Sequence, residues 1–166
     1  MNEIMSTNEK LIISATNFAR SLLNIDEDLW VFINEQTHFN GNDHSALYDK
    51  ENFLIRYNKE WLKNANSENI IKTAFHEVFH VVQHSAIVEF ELGIKSEVFS
   101  IKELRQMKYE FKDKNYSTEI GQYENLLIEQ QAETFAYGLY ELYNQRIKTE
   151  EKLIKKYFYL YENETD

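Results

Sequence analysis

Residues 70–84 read IIKTAFHEVFHVVQH and place His76, Glu77 and His80 in an H-E-x-x-H arrangement. On an α-helix, residues four apart lie about 40° apart around the axis and one turn along it, so both imidazoles can bind a single metal ion. Glu77 stands about 60° from His80 on the same side of the helix, where it can take a proton from a metal-bound water without being a ligand itself. The chemistry these residue types allow is hydrolysis by an activated water. None of the 166 residues is a cysteine, so thiolate ligands and disulfides are excluded and the metal must be held by nitrogen and oxygen donors. Zn2+ is the ion such a set calls for.

The surrounding residues agree with that reading. Ile71, Phe75, Val78 and Val82 form an apolar stripe about 140° to 180° from the two histidines, so one side of the helix is expected to pack on a core and the other to face a cleft. Chance spacing of two histidines and a glutamate is the plain alternative. On a helix this apolar, however, three such polar groups would be costly to bury without a partner.

A catalytic zinc takes a third protein ligand and keeps a position for water. His84 would extend the row, but it lies about 12 Å from His76 in axial rise, too far for three rings to converge, and it reads as a structural or helix-end histidine. The metzincin pattern asks for a histidine six positions after His80, where Ala86 stands, and peptide deformylase asks for a cysteine. The segment Tyr123–Gly138, YENLLIEQQAETFAYG, offers Glu129 and Glu133 one turn apart. By itself it reads as a core helix with surface glutamates, and geometry does not choose between the two carboxylates.

In this segment the chain resembles the gluzincin class of zinc peptidases, and more narrowly the small phage and mobile-element zincins related to the ImmA/IrrE family. There an H-E-x-x-H helix is followed by a helix reading approximately E-x-x-A-x-x-F-A, matched here by Glu129, Ala132, Phe135 and Ala136. The resemblance implies that Glu129 completes the metal set with His76 and His80, that Glu77 is the catalytic base, and that the reaction is peptide-bond hydrolysis. Glu133 stays as the runner-up ligand, or as an acceptor orienting a histidine ring. An oxyanion donor is also wanted, and Tyr48, Tyr137, Tyr140, His38 and His44 are all open candidates.

Certain elements must position these groups. Ser6 and Glu9 in capping-box spacing open an amphipathic helix running to Leu22. Leu29–Asn34 and Asn52–Asn58 are rich in aromatic and β-branched residues and read as strands, with a hairpin turn at Asp49–Asn52. Asn66 or Ser67 can cap the H-E-x-x-H helix. Residues 85–118, interrupted by Gly93, read as a helical insertion. A long helix over Tyr123–Arg146 follows, and then a final one with Ile154, Tyr157, Phe158 and Tyr161 on one side. The fold class is α+β, mainly helical: a minimal zincin-like fold with a small antiparallel sheet packed on the H-E-x-x-H helix and a second ligand helix. The resemblance adds that an extended substrate lies against an edge strand, for which Phe53–Tyr57 is the candidate.

With 43% hydrophobic and 14% aromatic residues, no proline and four glycines, residues 1–166 are expected to form one domain. Lys and Arg number 18 against 28 Asp and Glu, a formal charge of -10 that repels a phosphate backbone, so nucleic acid is not expected as a partner. The first residues lack a basic region followed by an apolar one, and no run approaches the roughly 18 apolar residues of a membrane span, so the expectation is a cytoplasmic protein without membrane association. Its partners are then a protein or peptide substrate and, for a regulatory role, another protein. The alternative function is a zinc-binding regulatory or interaction module without turnover. An all-helical interaction protein without metal is the third reading.

Overall fold

The computed structural model of the chain describes residues 5–25, 28–39, 44–112 and 122–163. Helix α1 (Thr7–Leu22) starts where the capping box places it: the Glu9 amide donates to Ser6 Oγ at 3.2 Å and the Ser6 amide to the Glu9 carboxylate at 2.6 Å. Three strands follow, β1 (Trp30–Asn34), β2 (Ala46–Asp49) and β3 (Leu54–Asn58). Between β2 and β3 the Asp49 carboxylate accepts the amides of Glu51 and Asn52, and Phe53 takes a positive φ of 52°, which together close the hairpin. Asn58 ends β3 and caps the short helix α2 (Lys59–Asn64).

The α+β class holds, but the sheet is mixed rather than antiparallel. Its order is β1-β3-β2, with β2 antiparallel and β1 parallel to β3. Apolar alternation specifies which face of a strand is buried and carries no information about its direction. β3 is therefore the central strand, and Phe53–Tyr57 is not the edge. β2 and β1 flank β3 on its two sides, and β2 is in contact with helix α3.

Helix α3 (Ser67–Glu91) is capped by Asn66, whose side chain accepts the Asn69 amide at 2.8 Å. It runs through the core, with Ile70, Ala74, Phe75, Val78 and Val81 fully buried among residues of α1 and the sheet. Burial of each of the larger ones, Ile70, Phe75, Val78 and Val81, contributes about 1.5–3 kcal/mol relative to exposure. The helix stops at Gly93, where a φ of 78° and a hydrogen bond from the Ile94 amide to the Glu89 carbonyl form a Schellman turn. A second capping box, Ser100 with Glu103, opens α4 (Ile101–Glu110) within the expected insertion.

Helix α5 runs from Leu127 to Asn163 without a break, joining what the sequence predicts as two helices, while Tyr123–Asn125 form a separate 3-10 turn. Between Arg146 and Lys152 there is no glycine, proline or competing cap, and Arg146 pairs with Glu150 one turn on, so nothing stops the helix. The side chains of Ile154, Tyr157, Phe158 and Tyr161 lie outside the described residues. Among the described residues no helix is long and apolar enough to cross a membrane.

Candidate metal centre

Helices α3 and α5 pack side by side because Ala132 and Ala136, both buried, present almost no side chain at the crossing. That close approach brings Glu129 onto the polar face of α3. The His76 and His80 Nε2 atoms are 3.0 Å apart, and the Glu129 oxygens lie 3.1 Å from the first and 3.5 Å from the second. An ion with tetrahedral bonds of about 2.0–2.1 Å separates its ligand atoms by about 3.3 Å. The three donors thus fit one metal ion, and among the described residues they are the one group of this kind.

Glu133 meets the other side of the His76 ring, its carboxylate 3.4 Å from Nδ1. It thus stands on the opposite side of the ring from Glu129, where the orienting role open to it from sequence would be exerted. The carboxylate facing the Nε2 pair belongs to Glu129. Burial opposes a charge on His76, yet its bonds to Glu129 and Glu133 raise it from the ordinary 6.5 to about 10. Burial alone would raise Glu129, but the two imidazoles hold it well below the usual carboxylate range.

Glu77 is buried beside the cluster. Burial pushes its carboxyl up, with His80 and His76 pulling the other way, and the Tyr48 amide of β2 donates to it. A backbone donor leaves no trace in a side-chain pattern, so this contact is invisible in the sequence. Gln83, fully buried one turn below His80, was equally unmarked, because a glutamine on an apolar helix carries no motif.

The other candidates stand elsewhere. The His84 Nδ1 atom is 2.9 Å from the Tyr48 hydroxyl, and burial together with Lys50 lowers the pKa of its ring. Tyr137 and Tyr140 lie beneath the Lys72 ammonium, at 3.7 and 5.0 Å from their ring centres. The His44 carbonyl accepts from Asn58, and the side chain of His38 lies outside the described residues.

The donor side chains are largely withdrawn from solvent: that of His76 is 14% exposed, that of His80 8% and that of Glu129 4%. A shallow hollow of about 500 Å³, lined by residues such as Asn58, Trp61 and Asn69, opens at the start of α3 and contains no donor cluster. Compared with protein-family models, with curated proteins and with solved structures, the chain matches none.

Proposed function

We propose that the chain is a zinc-dependent peptidase, with His76, His80 and Glu129 as the metal ligands and Glu77 as the catalytic base. The observation that carries this reading is the meeting of two imidazole Nε2 atoms and a carboxylate from a separate helix, with a second, buried carboxylate beside them. Two imidazoles and a carboxylate are a donor set of catalytic zinc, and the resemblance to small gluzincins such as the ImmA/IrrE relatives points the same way. Bound there, zinc lowers the pKa of water toward 7 and polarises a carbonyl.

The protein's own groups do the rest. Glu77, its proton affinity raised by burial, takes the proton that water releases as its oxygen bonds to the scissile carbon. It passes that proton to the amide nitrogen as the C–N bond breaks, yielding a carboxylic acid and an amine, and transfer of the remaining proton leaves a carboxylate and an ammonium. The Tyr48 amide keeps the Glu77 carboxylate aimed. Because β2 is the strand beside Glu77, the extended substrate is placed along β2 instead of Phe53–Tyr57.

The low exposure of the donor side chains favours a second reading, a zinc-binding regulatory module without turnover that works through a protein partner. One experiment separates the two. A proteome-derived peptide library is digested with wild type and Glu77→Gln, with and without chelator. The peptidase reading expects cleavage by wild type that chelator abolishes, and a rate at least 10²-fold lower for Glu77→Gln with zinc still bound. Zinc binding without cleavage by wild type would overturn it in favour of the module.

A further inference from the structure

The buried amide of Gln83 has its orientation imposed by its neighbours. Its Nε2 group donates to the Ile128 carbonyl at 3.0 Å and to Gln131 Oε1 at 3.0 Å, which uses both of its hydrogens. A carbonyl can only accept, so the amide cannot be turned over. Its Oε1 atom therefore faces His80 Nδ1, 2.9 Å away, and that nitrogen must carry the hydrogen. In the neutral ring the lone pair is then on Nε2, the atom that faces His76 and Glu129.

The direction of the chain of bonds continues outward. With its oxygen occupied by Gln83, Gln131 donates through Nε2 to Glu103 Oε1 at 3.1 Å, again an obligate acceptor. Glu103 is anchored by the capping box of α4, where its other oxygen accepts the Ser100 amide at 2.8 Å. From the same helix, buried Glu110 accepts the Ile128 amide at 3.0 Å. Ile128, the residue before Glu129, is thus held at its carbonyl by α3 and at its amide by α4.

We propose that Gln83, locked by Gln131 and Glu103, is a positioning residue that fixes His80 as the Nδ1–H tautomer, and that α4 exists in this fold to hold that lock and the start of α5. The inference rests on the reading of His80 as a metal ligand and adds what keeps it one. A neutral amide in this place orients the ring without adding a negative charge beside the metal. Helix α4 thereby acts on the centre through hydrogen bonds.

The test uses the full chain as wild type, Gln83→Leu and Gln131→Met. It measures zinc affinity by competition with a chromophoric chelator, and the tautomer of His80 by imidazole nitrogen NMR in metal-free protein. Gln83→Leu is expected to weaken zinc binding 10- to 100-fold and to bring in the Nε2–H tautomer, with Gln131→Met moving both in the same direction by less. Variants that bind zinc within about twofold of wild type and keep His80 wholly as Nδ1–H would overturn the proposal. If Gln83→Leu does not fold, Gln131→Met decides on the same two readouts. A wild type that binds no zinc would remove the ligand assignment, while the His80 tautomer would still decide whether Gln83 sets it.

Discussion

At the scale of single residues, the centre separates two glutamates that differ by one turn of one helix. Glu129 meets the Nε2 side of both imidazoles and Glu133 the Nδ1 side of His76, so their removal has different consequences. Glu129→Ala takes away one of three donors, and zinc binding is expected to be lost at micromolar metal. Glu133→Ala leaves the donors and frees the ring, with an expected loss of 10- to 100-fold in affinity. Calorimetric titration of the two variants with zinc distinguishes these outcomes, and equal losses would reject the difference in roles. From sequence the resemblance pointed to Glu129, and helix geometry alone did not separate it from Glu133, one turn on. Which nitrogen each would reach depends on the rotation of α5 about its own axis.

At the scale of elements, the start signals were legible. Ser6 with Glu9, and Asn66 before Ser67, cap α1 and α3 by bonds that span only three residues, and such bonds form wherever the local sequence allows. The direction of β1 was not, because its partner β3 is contributed by a distant segment and strand alternation is the same in either sense. The crossing of α3 and α5 depends on Ala132 and Ala136 remaining small. Ala132→Leu is expected to destabilise the protein by about 1–3 kcal/mol by overpacking, and to weaken zinc binding because α5 carries Glu129. Denaturant melts with and without zinc test this, and a variant as stable as wild type and with the same metal affinity would show that the crossing tolerates bulk.

At the scale of the molecule, His76 and Glu129 are 53 residues apart in sequence and meet only when α3 and α5 pack. An ion that binds this arrangement and not the unfolded chain stabilises the fold by about 2.7 kcal/mol at a hundred times its dissociation constant. Without metal, the folded state binds the His76 proton more tightly than the unfolded chain does. That contribution to stability is complete below about pH 6.5 and is lost as pH rises through about 10. The metal-free protein should therefore melt at lower temperature as pH is raised from 7 to 10. Zinc affinity should increase over the same window, because the ion competes with that proton. Thermal melts and zinc titrations across this range check both trends, and a flat profile in metal-free protein would count against the coupling of His76 to its two carboxylates.

The sequence by itself determined what is encoded within a few residues: the pairing of His76 and His80 on one helix face, the carboxylate between them, the absence of sulfur ligands, and the caps and hairpin turn that delimit the elements. The tertiary structure alone decided the order and direction of the strands, the continuity of α5 and its approach to α3, the amide of Tyr48 at Glu77, and the bonds that hold Gln83. The physical reason is range. A cap, a turn or an i, i+4 pair is made by neighbours along the chain, whereas these features depend on how faces from distant segments rotate and settle against one another.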